Sequence, residues 1–142
     1  MNILLVCTGN TCRSPMAEVI ACDLFKDQPG VVVGSAGVSA GLGGMATVEA
    51  VTAMAELGLD LKAHRSRPLT NAMVDEADHV LTMTQSHRAM VVGAIPSAES
   101  KTAVLDEDMD VQDPIGGTLE DYRATAEQIK TALMRRFSKG LL

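Results

Sequence analysis

The chain begins with the stretch MNILLVCTGNTCRSPMAEVI, residues 1–20, which decides the fold. Asn2 to Val6 is a short apolar run typical of a buried strand, and the polar residues 8–10 end it. A helical pattern begins near Pro15 and continues through residue 24, with Ser14 as the expected N-cap. The spacing therefore predicts a strand, a loop and a helix in direct succession.

The same alternation continues along the rest of the chain. Further strands are expected near residues 31–33, 77–83 and 103–105, and further helices over residues 46–57, 86–92 and 118–137. Thr118 is the expected cap of the last helix, with Asp121 three residues later. Because strands joined by crossover helices run parallel, the pattern predicts an open α/β sandwich with a parallel sheet and helices on both faces.

The composition predicts one soluble, cytoplasmic domain over residues 1–142. Hydrophobic residues make up 46% of the 142, enough for a single core. No apolar stretch has the length of a membrane span, and the first residues lack the basic region and cleavage site of a secretory signal. Three cysteines, with Cys7 and Cys12 too close for a useful staple, suit reduced thiols. A formal net charge of -6 argues against nucleic acid or an anionic membrane as a partner.

Cys7 and Arg13 are separated by five residues in the loop that follows the first strand. Such a loop directs backbone N–H groups into one concavity, and the N-terminus of the next helix adds positive charge. This nest suits a phosphate dianion, to which Arg13 adds a fork of donors, while Gly9 lets the backbone approach the ligand. The same field favours the reactive thiolate of Cys7, and Ser14 is placed to donate a hydrogen bond to it. The alternative is an inert core cysteine at a strand end.

Phosphoryl transfer also needs a proton donor for the leaving group. The pair Asp113-Pro114, followed by residues 115–117 (Ile-Gly-Gly), forms a stiff loop that is able to hold Asp113 over a phosphate. Asp-Pro pairs also mark ordinary turns before helices, which leaves a purely structural role open. The three histidines, at positions 64, 79 and 87, have no metal-ligand spacing with the cysteines. We therefore expect no metal site and no catalytic histidine.

Residues 7–18, Cys-Thr-Gly-Asn-Thr-Cys-Arg-Ser-Pro-Met-Ala-Glu, resemble the signature of the low-molecular-weight protein phosphatases. Matching segments follow in the family's order, so the resemblance covers nearly the whole chain: residues 35–37, 65–69, 77–78, 83–84 and 113–117. It implies a three-layer sandwich around a four-stranded parallel sheet of order 2-1-3-4, without a metal or a cofactor. It also implies Cys7 as the nucleophile, Arg13 as the transition-state clamp and Asp113 as the general acid.

The resemblance assigns the neighbouring residues as well. It implies that the loop binds the phosphate and the substrate through Thr8, Gly9, Asn10, Thr11, Cys12 and Ser14. Asn10 and Ser35 would hold the loop's shape by hydrogen bonding. Cys12 either forms a reversible disulfide that shields oxidised Cys7 or only packs under the loop. Cys22, on the following helix, is expected in the core.

Thr11 is the position that separates two substrates. It resembles the bacterial protein-arginine phosphatases, whereas tyrosine-specific members usually carry a bulkier aliphatic residue there. A hydroxyl at the pocket wall suits a polar guanidinium, and Gly116-Gly117 also resembles the arginine-specific pattern. Ile115 departs from both patterns, because arginine-specific members tend to carry an aromatic residue at that point. Thr11 is also compatible with a purely local role in the loop geometry.

The predicted function is therefore hydrolysis of phosphoarginine on phosphorylated proteins through a cysteinyl phosphate, with inorganic phosphate as the product. A low-molecular-weight protein tyrosine phosphatase is the alternative. A non-catalytic phosphate-binding module is less favoured, because it would need neither a thiolate nor an acid. An arsenate reductase of the related type relays electrons through cysteines far downstream, and no cysteine follows Cys22.

Overall fold

The computed structural model describes residues 1–140 and 142. The elements follow the predicted alternation: β1 (Asn2–Cys7), α1 (Arg13–Leu24), β2 (Val32–Gly37), α2 (Val48–Glu56), α3 (Asn71–Glu76), β3 (His79–Thr82), α4 (Gln85–Ala94), a 3₁₀ helix (Pro96–Lys101), β4 (Thr102–Val104) and α5 (Leu119–Ser138). Among the described residues, no helix is both long and apolar enough to cross a membrane.

The four strands form one sheet in the order β2-β1-β3-β4, and all neighbouring strands run parallel. In the register, Leu5 of β1 is opposite Ser35 of β2 and Leu81 of β3. Strand β1 thus lies inside the sheet, and its sequence is nearly continuously apolar because both of its faces are buried. The predicted fold class, sheet direction and strand order are confirmed.

Two apolar cores cover the two faces of the sheet. Ile3 and Leu5 of β1 point into the larger core, which also contains buried residues of α1, α2 and α5. Leu4 and Val6 point into a smaller core with Val74 of α3 and Val91 of α4. Because successive strand residues face opposite sides, this division produces the helix–sheet–helix sandwich that the sequence predicts.

Threonine side chains cap the N-termini of four of the five α-helices in the described part of the chain. Thr47, Thr70, Thr84 and Thr118 each accept a hydrogen bond from a backbone N–H of the first turn of α2, α3, α4 and α5. At Thr118 the carboxylate of Asp121 returns a bond to the cap backbone, which completes the expected capping box. The donors that helix starts leave unpaired are thus satisfied within the chain at these four positions.

Several features of the fold differ from the sequence-based expectations. Strand β2 extends through Gly37 instead of ending at Val33, and α3 and the 3₁₀ helix were not predicted. Both missed elements have six residues, too few for a period of 3.6 to stand out. Cys22 is exposed rather than in the core, because Ile20 and Ala21 take the buried side of α1 there.

Candidate active site

The loop between β1 and α1 lies at the carboxyl ends of the parallel strands. From β1 the chain passes to β2 on one side and later to β3 on the other, so the loop sits where the strand order reverses, the usual place for ligands in open α/β sheets. A cavity of about 130 Å³ opens there. Its lining comprises residues 7–13 together with Asp113 and Ile115.

Helix α1 begins at Arg13, two residues before the predicted start, and Cys12 occupies its N-cap position. No side chain of the described residues caps its first turn, in contrast to the four threonine-capped helices. The predicted capping role of Ser14 is therefore wrong, because its hydroxyl points to Cys7 instead. The positive end of the helix dipole thus lies at the cavity without a side-chain cap, an arrangement by which helix starts bind anions.

The sulfur of Cys7 receives two short polar contacts in a buried setting. The Ser14 hydroxyl lies 2.8 Å from Sγ, and the backbone N–H of Asn10 donates to Sγ at 3.3 Å. The Asn10 amide nitrogen donates to the Ser14 oxygen at 2.7 Å. Since that oxygen already accepts, the hydroxyl hydrogen of Ser14 is free to point at the sulfur. Both contacts then stabilise a negative charge on sulfur.

Asn10 fixes the shape of the loop from a left-handed backbone conformation, with φ of 55°. Its side-chain oxygen accepts from the backbone N–H of Arg67 at 3.0 Å, which sets the amide orientation, and its nitrogen also donates to Ser35 Oγ at 3.0 Å. His64 Nε2 donates to the Asn10 carbonyl at 2.8 Å. Asparagine tolerates positive φ better than most residues, and here every polar group of its side chain is paired.

Arg13 reaches the same cavity from the first turn of α1. Its guanidinium donates to the Val111 carbonyl at 3.0 Å and to Thr8 Oγ1 at 3.4 Å. A carboxylate oxygen of Asp113 lies 3.5 Å from the guanidinium, and the other accepts the backbone N–H of Ile115. The Arg13 side chain is 6% exposed, whereas that of Asp113 is 41% exposed. The planar cation is thus held rigidly at the base of the cavity, with the carboxylate at its rim.

Cys12 and Thr11 lie on the side of the loop nearest α2 and α5. The Thr11 carbonyl accepts the backbone N–H of Thr47 at 3.0 Å, and the Cys12 sulfur lies 3.5 Å from the Tyr122 hydroxyl. Burial, followed by the hydrogen bond with Cys12, raises the pKa of Tyr122 to about 12. Tyr122 is therefore neutral at physiological pH and supports the loop from below as a polar group inside the larger core.

Two histidines and one arginine near the loop were missed by the sequence analysis. His64 and Arg67 bind Asn10, and His87 Nε2 lies 2.8 Å from Thr8 Oγ1. The available signal was position: His87 follows the carboxyl end of β3, which meets the carboxyl end of β1 at one edge of the sheet. Of the predicted site residues, Ser14 and Ser35 lie outside the cavity lining: Ser14 contacts the Cys7 sulfur, and Ser35 reaches the loop through Asn10.

The loop between β1 and α1, with a buried and hydrogen-bonded thiol at the switch point of a parallel sheet, has the arrangement of a cysteine-dependent phosphatase. The family model described as low molecular weight phosphotyrosine protein phosphatase matches residues 2–141. The chain belongs to that family, as its sequence predicted.

Relatives in this family carry two kinds of name. A protein-arginine-phosphatase of Geobacillus stearothermophilus is 44% identical over 97% of this chain and 95% of its own length. The solved structure of a low molecular weight protein tyrosine phosphatase from T. tengcongensis is 39% identical, with a TM-score of 0.93 over 98% of this chain and 99% of that one. The solved structure of a cysteine-to-serine mutant of the arginine phosphatase YwlE contains a phosphorylated active-site serine. It is 38% identical, with a TM-score of 0.92 over 99% of this chain and 95% of that one.

Proposed function

We propose that this chain is a protein phosphatase that hydrolyses phosphoarginine on proteins through a cysteinyl-phosphate intermediate. The observation that carries the proposal is that Cys7, Arg13 and Asp113 line one cavity at an uncapped helix start. The proposed phosphatase domain spans residues 1–142 and acts in the cytoplasm, where its free thiols would stay reduced.

In the first step, the Cys7 thiolate attacks the phosphorus atom and the P–N bond breaks. The loop N–H groups and the Arg13 fork hold the phosphoryl oxygens as charge is redistributed over them. The proton of the Asp113 carboxyl passes to the leaving nitrogen. Arginine then departs as a guanidinium, and the enzyme carries a phosphorus–sulfur bond. Guanidine is strongly basic, so this protonation is at least as important as it is for a phenol.

In the second step, the Asp113 carboxylate takes a proton from water as the water oxygen attacks phosphorus. The P–S bond breaks, inorganic phosphate leaves, and Cys7 returns to its thiolate form. The hydrogen bonds from Ser14 and Asn10 to the sulfur support it as a leaving group here, just as they support it as a nucleophile before. The phosphorylated active-site serine of the YwlE mutant is consistent with a phosphoryl group carried on the corresponding loop of a relative.

Three observations support arginine as the substrate side chain. Thr11 lines the cavity with a hydroxyl-bearing side chain, whose polarity suits the guanidinium next to the phosphoryl group. The relative at 44% identity is named a protein-arginine-phosphatase. Asp113, partly exposed at the rim, is also placed to pair with a guanidinium during binding.

Ile115 favours the second candidate, a tyrosine phosphatase. It is 61% exposed and lines the cavity, so it offers an apolar surface at the mouth that suits a phenyl ring. The relative with a TM-score of 0.93 is named a tyrosine phosphatase. Thr11 thus offers a polar surface and Ile115 an apolar surface to the same cavity.

The deciding experiment is kcat/KM on matched phosphoarginine and phosphotyrosine peptides for the wild type and for Thr11→Ile. An arginine phosphatase prefers the phosphoarginine peptide, and the preference falls or inverts in the variant. Thr52→Ile is the matched control, because Thr52 is exposed on α2 and does not line the cavity. A wild-type preference for phosphotyrosine would reject the arginine assignment and leave the second candidate.

Covalent catalysis is tested separately, by the burst of product from a generic aryl phosphate. Wild-type enzyme should release a stoichiometric burst, and Cys7→Ala, which removes the nucleophile, should show none above background. A wild type that binds inorganic phosphate but turns over no phosphorylated compound would instead be the non-catalytic binding module.

A further inference from the structure

Thr8 connects the guanidinium of Arg13 to a histidine outside the cavity lining. Its Oγ1 accepts a hydrogen bond from Arg13 at 3.4 Å and lies 2.8 Å from His87 Nε2. A guanidinium only donates, so Thr8 uses one oxygen lone pair for Arg13. The hydroxyl hydrogen and the second lone pair remain for His87, which accepts or donates according to its tautomer.

His87 is held in place independently of that contact. It lies in the first turn of α4, where its backbone N–H donates to the capping hydroxyl of Thr84 at 3.1 Å. Its side chain is buried, and within the described residues its Nδ1 has no hydrogen-bond partner. Thr8 is thus the hydrogen-bond partner of the ring among the described residues. The position of the ring is set by α4 and by its buried surroundings.

The imidazole of His87 is a neutral hydrogen-bond partner for Thr8 at physiological pH. Burial, and then the charge of Arg13, lower the pKa of His87 to about 4, against weaker opposite effects of Asp110 and Asp113. At physiological pH the ring is uncharged, so it holds the Thr8 hydroxyl without placing a second cation beside Arg13.

We propose that His87 is a positioning residue, which orients the Thr8 hydroxyl and through it holds the Arg13 guanidinium in the plane that clamps phosphate. The inference rests on the clamping role of Arg13 in the proposed function. Without His87, the Thr8 hydroxyl is free to rotate. Among the described residues, Arg13 then keeps one buried acceptor, the Val111 carbonyl at 3.0 Å, and a longer contact of 3.5 Å with the partly exposed carboxylate of Asp113. A guanidinium hydrogen-bonded firmly at two nitrogens keeps its plane, whereas one with a single short hydrogen bond turns more easily about that bond.

A double-mutant cycle separates positioning from a general packing role. The variants are Thr8→Val, His87→Phe and the double variant, measured for kcat/KM on an aryl phosphate and for the Kd of inorganic phosphate by calorimetry. Each single variant should lose about three- to tenfold in both quantities, the worth of one hydrogen bond. The double variant should lose no more than the larger single one, because both changes break the same chain.

Two further variants serve as controls. In His87→Gln the side-chain amide reaches the position of Nε2, so this variant should restore most of the affinity for phosphate. His79→Gln should leave both quantities unchanged, because His79 begins β3 at the opposite end of the sheet from the cavity. Melting temperatures recorded for every variant report any loss of fold.

The proposal is overturned if Thr8→Val leaves phosphate affinity and kcat/KM unchanged, or if the two losses simply add. Thr8 is exposed and valine has its shape, so this variant decides the matter even if His87→Phe fails to fold. Phosphate affinity needs no turnover, so it tests the positioning role even in an inactive enzyme. An inactive wild type whose phosphate affinity still depends on His87 would reject the proposed function and leave this inference standing.

Discussion

Replacing His87 by glutamine should make the folded protein less sensitive to acid. The pKa of His87 lies at about 4 in the fold, lowered by burial and by Arg13, against 6.5 for an ordinary histidine. The unfolded chain therefore binds more protons between these values, so the free energy of unfolding falls as the pH drops through that window. Above pH 6.5 the stabilisation that comes from keeping His87 neutral is fully present, and below about pH 4 no further stability is lost from this group.

The distance between the two pKa values, from 6.5 to about 4, sets the size of the effect. Complete titration corresponds to about 3 kcal/mol, and the loss between about pH 7 and about pH 5 is about 2 kcal/mol. Glutamine does not titrate, so its variant lacks this loss. Its amide still reaches Thr8, which keeps the local contact that phenylalanine would remove.

The assay is urea unfolding, followed by circular dichroism, at a series of pH values for the wild type, His87→Gln and His79→Gln. The carboxylates that titrate in the same range are common to all three proteins and cancel in the differences. The gap between wild type and His87→Gln should change by about 2 kcal/mol across the window, with the variant relatively more stable in acid. Parallel curves for these two proteins, or an equal effect at His79, would refute the assignment of a buried neutral imidazole.

Three other substitutions test the site directly. Asp113→Asn should lower kcat on a phosphoarginine peptide by about 10²- to 10⁴-fold, because the leaving guanidine loses its proton donor; unchanged kcat would remove Asp113 from that role. Ser14→Ala should lower kcat by about tenfold or more in rapid-quench turnover, since the charged sulfur of Cys7 loses a hydrogen bond, and a rate equal to wild type would contradict this. Gly37→Ala should cost about 1–3 kcal/mol in urea unfolding and reduce activity, because an added Cβ would meet the Thr8 carbonyl oxygen; wild-type stability would show that the loop yields.

Much of the fold followed from the sequence because its causes are local. Apolar runs of strand length, helical periodicity and the Thr118 capping box each act within a few residues, and alternating strands and helices favour a parallel sheet. The loop at residues 7–13 is equally local, since the backbone N–H groups, the thiol and the guanidinium belong to one turn between β1 and α1. Even there, one of the two roles predicted for Ser14 was wrong: its hydroxyl contacts the Cys7 sulfur, as expected, but does not cap α1.

The tertiary structure decided which distant groups meet that loop: the family resemblance had implied Asp113 and Ser35, whereas Arg67 and His87 were missed. Asp113 reaches Arg13, Arg67 and Ser35 bind Asn10, and His87 binds Thr8 because parallel strands end at one edge and bring their following segments together. These contacts depend on sheet order and helix packing, which no short-range spacing encodes. The residues proposed to transfer a phosphoryl group were therefore recognisable in the sequence, whereas Arg67 and His87, which contact the loop from distant segments, became visible only in the assembled sheet.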